Sequence, residues 1–280
     1  MAETSRKLQI EKSDGARRRT VVDRVAVEEP LEIQVAAGDA AGAAAKSVSV
    51  TMRTPGNDEE LATGFLYTEG ILASPDQLVS ITAVGPPDAA GDGRNTIRVE
   101  FVAGVDLDLG RLERHFYTTS SCGVCGKATL EALTVAGCAS LSDERTTFPS
   151  AILLALPARV RAEQAVFRST GGLHAAAVFG PGGEIDVVRE DVGRHNATDK
   201  VIGAMLAAGT LPGRGKGLFV SGRASFELVQ KALVAGIPLI AAVGAPSSLA
   251  VDTAREFGMT LVGFLRDGGF NVYAGSERIG

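Results

Sequence analysis

The 280-residue sequence carries 28 Lys and Arg against 33 Asp and Glu, a net charge of −5, with 45% hydrophobic and 22% charged residues. This composition excludes overall disorder, and the acidic balance argues against a nucleic-acid partner held by a general basic surface. The length allows substantial cores, and two unequal domains are expected. The three cysteines do not form a disulfide framework, and the N-terminus lacks a signal peptide's apolar segment, so a cytoplasmic protein is expected.

Residues 1–20 are polar, with Arg17, Arg18 and Arg19 together, and read as a disordered, solvated arm. Residues 21–115 read as a small α+β domain. Thr20 to Val35, with a turn at Glu29-Pro30, and Ser47 to Arg53 carry strand patterns around an Ala/Gly loop. Thr54 to Asp58 is a turn, from which Asn57 or Asp58 can cap a helix that places Leu61, Phe65 and Leu66 on one face. Ile81 to Val84 and Thr96 to Val102 read as a further strand pair.

Residues 116–148 read as a loop and helix built on Cys122 and Cys125, a Cys-x-x-Cys pair among glycines and hydroxyl residues, followed by helix formers from Lys127 to Leu133. A helix start beside Lys127 favours thiolate over thiol. Redox exchange, zinc binding and sulfur carriage all use such a pair. A closed zinc site would need four ligands, and the sequence has no second Cys-x-x-Cys or close His pair, so no metal site is expected. A thioredoxin-like site would sit between a strand and a helix, whereas a Ser/Thr-rich loop precedes this pair, which suits sulfur carriage better. Cys138, after small apolar residues, reads as a structural thiol.

Residues 149–280 read as an α/β ligand-binding domain. Ala175 to Phe179 and Glu184 to Arg189 form a hairpin, and Asp191 to Ala208 a helix. Gly217 to Val220, Pro238 to Val243 and Thr260 to Leu265 alternate with helices Ser225 to Ala235 and Ser248 to Phe257, which implies right-handed crossovers and a largely parallel sheet. The uncharged run Ala232 to Val251 is long enough to span a membrane, but its prolines and glycines break it into a helix end, a buried strand and a turn, and no membrane association is expected.

In open parallel sheets ligands bind beyond the carboxyl ends of the strands. Ser221, Gly222, Arg223 and Ser225 follow the first strand, Gly244 to Ser248 the second, and Phe264, Leu265, Arg266, Asp267, Gly268 and Gly269 the third. Two arginines and two serine-bearing helix starts on one edge suit a phosphate-rich ligand such as a nucleotide. His174, beside glycines, and His195 are further candidates there. In the charge-dense segment Arg189 to Lys200, His195 shares a helical face with Asp191 and Asp199, which also fits a capped helix with surface ion pairs.

Six blocks together carry a resemblance: Met52 to Gly56 with Glu59 to Leu66, Ser121-Cys122-Gly123-Val124-Cys125-Gly126, Thr170 to His174, Glu190 to Asn196, Ser221 to Ser225 and Gly263 to Arg266. From about residue 20 onward the chain resembles the formate dehydrogenase accessory sulfurtransferase family, FdhD/NarQ. The resemblance implies a sulfur carrier that accepts persulfide sulfur from a cysteine desulfurase and passes it to the molybdenum bis(guanine dinucleotide) cofactor, which is a bound substrate and not a permanent cofactor, for formate dehydrogenase. It also implies a cytidine deaminase-like layered α/β domain and a homodimer. Cys122 matches the persulfide-bearing cysteine, Cys125 its partner, and Phe264 to Gly269 the cofactor-binding loop. The alternative from another class is a zinc- or redox-dependent nucleotide-binding regulatory module.

Overall fold

A computed structural model describes residues 3–37, 45–87, 93–105, 107 and 138–280. Cys122 and Cys125, with the loop and helix expected around them, lie outside the described residues.

The arm expected to be disordered is a hairpin. Strands β1 (Ser5–Ser13) and β2 (Arg18–Ala26) pair antiparallel as a two-stranded sheet, turning through Asp14 and Gly15. Gly15 has φ +91°, and the Asp14 carboxylate accepts from the Ala16 and Arg17 N–H groups, which fixes the turn. Ile10 sits opposite Val21, but most of the ribbon is solvent-exposed, so its apolar content is too sparse to stand out in the sequence.

Strands β3 (Glu29–Ala37), β4 (Lys46–Arg53), β5 (Leu78–Pro87) and β6 (Arg94–Phe101) form a four-stranded sheet in the order β4-β3-β6-β5. Alternate residues Leu31, Ile33 and Val35 of β3 and Ile97, Val99 and Phe101 of β6 share one buried face. Helix α1 (Asp58–Thr68) covers that face with Leu61, Ala62 and Leu66.

The larger sheet has six strands: β7 (His174–Phe179), β8 (Ile185–Asp191), β9 (Gly217–Val220), β10 (Leu239–Ala242), β11 (Thr260–Arg266) and β12 (Gly269–Ala274), in the order β12-β11-β10-β9-β7-β8. Its centre, β9-β10-β11, is parallel as the alternation implies. The sheet as a whole is mixed rather than largely parallel, because the β7-β8 hairpin and β12 join antiparallel. Period-two alternation splits the strands between two cores. Ala176, Val178, Leu218, Val220 and Ile240 face helices α4 (Arg194–Ala207), α5 (Phe226–Val234) and α6 (Ser248–Glu256). Ala177, Phe179, Phe219, Leu239 and Val262 face helix α2 (Ser150–Glu163). A short helix, α3 (Ala165–Thr170), follows α2 and packs against the N-terminal hairpin.

The two sheets are joined through α1 and α4. Gly64 and Gly203 sit at the crossing, where a Cβ on Gly64 would overlap the Asp199 carbonyl and one on Gly203 the Glu60 carbonyl, so the helices meet backbone to backbone. The uncharged run 232–251 contributes the end of α5, β10 and the start of α6, and no helix among the described residues is long and apolar enough to cross a membrane.

Candidate functional site: the carboxyl edge of the six-stranded sheet

Beyond the parallel strands, three segments hydrogen-bond to one another. Gly244 N donates to Gly222 O (2.8 Å), Ala224 N to Ala245 O (3.2 Å), Ser247 N to Ala224 O (3.0 Å) and Phe264 N to Gly244 O (3.1 Å). A Cβ on Gly244 would lie 3.0 Å from the Arg223 backbone and Gly222 O, so glycine is what allows these turns to approach. Because β7 runs antiparallel to β9 and β8 antiparallel to β7, His174 at the start of β7 and Asp191 at the end of β8 reach this same edge.

The candidate residues fall into two groups. Ser221, Gly222, Ser225, His174 and His195 come together: a Cβ on Gly222 would lie 3.4 Å from His174 Nδ1 and 3.5 Å from Arg194 Cδ, and His195 Nε2 lies 3.3 Å from Ser225 Oγ. Ser221 Oγ is already engaged, accepting from Ala175 N at 2.8 Å. Arg223, next to Gly222, is exposed, as is Arg266 at the end of β11. The segment Phe264 to Gly269 is not a single loop, since β11 continues to Arg266 and turns at Asp267 and Gly268 into β12. Leu265 is fully buried in the core and presents no side chain to a ligand, whereas Phe264 is 41% exposed in a left-handed conformation with φ +53°. A non-glycine residue held there is strained, and such strain gathers at ligand sites.

Burial and the nearby Arg194 guanidinium push the His174 imidazole below its ordinary value. Burial, followed by Arg194 and Lys231, takes His195 down to about 4, so at neutral pH both rings are uncharged acceptors or donors. Glu227, on the first turn of α5, is raised by burial, but hydrogen bonds from the Ser225 hydroxyl and its own N–H outweigh this and pull it below the usual carboxylate range. With its proton directed to Glu227, the Ser225 hydroxyl also lies within hydrogen-bond distance of His195 Nε2, 3.3 Å away. Ser225 therefore does not cap α5, in contrast to Ser247, whose hydroxyl accepts from Ala250 N and satisfies the start of α6.

The charge-dense segment does not form surface ion pairs. Asp191 and Lys200 are fully buried 2.7 Å apart; the carboxylate also accepts from Gly193 N, Asn196 Nδ2 and Thr54 N, and Lys200 Nζ donates to Thr54 O. Asp199 accepts from Lys231 at 2.9 Å, and Thr68 and Glu69 complete that cluster. Burial alone would lower the Lys231 ammonium, but Asp199 and Glu69 hold it above its ordinary value. With both aspartates claimed by lysines, Arg194 has no ion pair or hydrogen bond from its side chain among the described residues, and its Nε is buried without an acceptor. An unmet buried donor of this kind costs about 1–3 kcal/mol, more when charged. Sequence reasoning passed over Arg194 because the carboxylates near it in Arg189 to Lys200 looked like its partners, and over Glu227 because nothing in its sequence neighbourhood sets it apart.

A cavity of about 150 Å³ lies against the Lys200 pair, lined by Thr54, Asn57, Glu163, Arg189 and Glu190. Two of its charged groups are occupied, Arg189 by Glu60 at 2.5 Å and Glu190 by the Val166 and Phe167 N–H groups. Among the described residues, no three His, Cys, Asp or Glu side chains are grouped to hold a metal ion. Cys138 is half-buried against the core, and burial pushes its thiol up, as befits a structural cysteine.

Fold and edge together define a mixed α/β protein with a candidate ligand site at the carboxyl ends of its parallel strands. The profile of the FdhD/NarQ family matches residues 26–280. A protein of Mycolicibacterium paratuberculosis named sulfur carrier protein FdhD is 52% identical over 259 residues, 92% of each chain. A protein of the same name from Streptomyces avermitilis is 50% identical over 280 residues, covering 99% of this chain and 95% of the relative. A crystal structure from Desulfotalea psychrophila, described as a formate dehydrogenase accessory protein, shares the fold with TM-score 0.74 at 24% identity, over 99% of this chain and 100% of the other. The chain belongs to the FdhD/NarQ family.

Proposed function

We propose that this chain is a sulfur carrier for formate dehydrogenase maturation. The Cys122 thiolate attacks the outer sulfur of a cysteine desulfurase persulfide, the desulfurase thiolate leaves, and Cys122 keeps the sulfur as its own persulfide. The recipient is the molybdenum bis(guanine dinucleotide) cofactor, held as substrate at the sheet edge. Delivery follows one of two routes. The Cys125 thiolate attacks the inner sulfur of Cys122, expels hydrosulfide and leaves a disulfide for a thiol reductant to reopen, or Cys125 positions the loop while Cys122 hands its sulfur on directly. A homodimer is part of this reading.

The observation that carries the nucleotide half of the proposal is the edge itself, where neutral histidines, an ionised Glu227 and Arg194, whose Nε has no acceptor, gather at the Gly222 turn, which hydrogen-bonds to the tight turn at Gly244. A carboxylate matches the adjacent N–H donors of a guanine, and a guanidinium matches its phosphates. The sulfur half is supported by relatives about half identical over nearly the whole chain that carry the sulfur carrier name. Intact-mass measurement after incubation with a desulfurase and cysteine should show one added sulfur atom in the wild type and none in Cys122→Ala. Addition that persists in the variant, or a zinc ion that survives dialysis and blocks thiol labelling, would overturn this reading in favour of a metal-bound regulatory module.

A further inference from the structure

Resting on the homodimer of the proposed function, we propose that the N-terminal ribbon, β1 and β2, is an arm that seats on the acidic body of a second copy of this chain. Among the described residues the ribbon pairs only with itself, and with nine residues in each strand it is about 30 Å long. Its packing partner is the short helix α3, and from Gln9 to Val22 every residue is exposed except Ile10 and Val21, which lie opposite each other. A two-stranded ribbon is marginally stable in water and both of its strands are open edges, so this element needs a surface to cover it.

Register fixes what each face offers. Residues paired across the ribbon share a face, so Leu8, Ile10, Val21 and Val25 form one apolar strip, with Arg6, Lys12 and Arg19 beside it. Leu8 is 36% and Val25 37% exposed, and an apolar centre rimmed by charge is the build of a protein interface. A hollow of about 440 Å³ opens on this stretch, with Ile10, Lys12, Arg19 and Val21 in its lining. The opposite face sets Lys7 across from Arg24 and has one large apolar residue, Val22.

Charge selects the occupant. Residues 5–26 hold seven Lys and Arg against three Asp and Glu, whereas the rest of the chain holds 21 against 30. Of the ribbon's cations only Arg18 has an ion pair among the described residues, with Glu11 at 3.9 Å between exposed side chains. Pairing one ribbon with another would set like charges along both edges, which works against strand-to-strand association of two arms. The body of a second copy carries the opposite charge, which favours docking there.

Sedimentation of the full chain, with carbodiimide cross-linking of a mixture of isotopically heavy and unlabelled chains, tests this. The wild type should form a dimer whose dissociation constant rises with salt. Lys12→Glu combined with Arg19→Glu reverses two charges beside the apolar strip and should raise that constant at least ~10-fold. Lys7→Glu combined with Arg24→Glu makes the same change in net charge on the other face and should shift it by no more than about threefold. Each pair stays opposite and alike in charge, so neither double variant adds repulsion within its own cross-strand pair. In the wild type, links from Lys12 of one chain to an Asp or Glu within residues 27–280 of the other support the arm. Links confined to single chains, or running from ribbon to ribbon, would overturn it. Equal weakening by both double variants would mark net charge alone and overturn it as well, and no weakening by either would leave the homodimer standing without the arm. A wild-type chain that stays monomeric at every concentration removes the homodimer and the arm together but leaves the Cys122 chemistry untouched. Capture by anionic vesicles in place of self-association would overturn the proposal in favour of a membrane surface.

Discussion

Helix α4 lives in two environments. Its middle, from Asn196 through Gly203, is buried, touches α1 without side-chain spacers and answers nearly every charge with a counter-charge. Its first turn presents a cation that has no ion pair or side-chain hydrogen bond among the described residues, with Glu227 near enough only to feel its charge. The pairing that makes the middle stable consumes the aspartates that would otherwise have neutralised Arg194. Stability and ligand attraction are thus divided along one helix, and a substitution in one part should leave the other's property largely intact.

The sharpest way to break this division is at the crossing. Gly64→Val or Gly203→Val forces a side chain into a neighbouring carbonyl that cannot give way, and unfolding in urea should show a loss of more than about 4 kcal/mol or no folded protein. Next comes Lys200→Met, which strands the Asp191 carboxylate without its cation, with an expected loss of about 3–5 kcal/mol in the same assay.

Acidification probes the other end. His195 titrates at about 4 in the folded chain, below its unfolded value of about 6.5, so the unfolded state binds protons first. Its contribution to stability is fully present above pH 6.5 and is lost as pH falls from there toward 4. The side chain is 37% exposed, so the effect should be ~1 kcal/mol, and His195→Gln should flatten that part of the stability profile. Arg223→Ala and Arg266→Ala, at exposed positions, should each weaken GDP binding, read by calorimetry, by about 1 kcal/mol or less. Smallest of all, Cys138→Ser should leave the yield of persulfide within a few-fold of wild type, as read by mass spectrometry.

The β9-α5-β10-α6-β11 succession was legible because short apolar strands alternate with helices opened by serines, and hydrophobic period alone carries that pattern. The Gly222 turn and its neighbours were legible for the same reason. The β1-β2 ribbon was not, since a two-stranded element with solvent on most sides needs few apolar residues and its arginines read as a tail. Helices α2 and α3 were missed because Pro157 lies inside α2 and α3 is a single short turn after it, so neither shows a clean apolar stripe. Arg194 was hidden for a different reason: which of several charges in Arg189 to Lys200 pair with one another depends on Lys231 and Thr54, residues distant in sequence.

The backbone-to-backbone crossing of α1 and α4 has a dynamic consequence. With no side chains at the crossing to absorb a shift, a displacement at the start of α4 should pass directly to α1, which packs on the four-stranded sheet. An anion seated at Arg194 should therefore quieten α1 as well, slowing hydrogen–deuterium exchange of the amides from Leu61 to Leu66 although none of them touches the ligand.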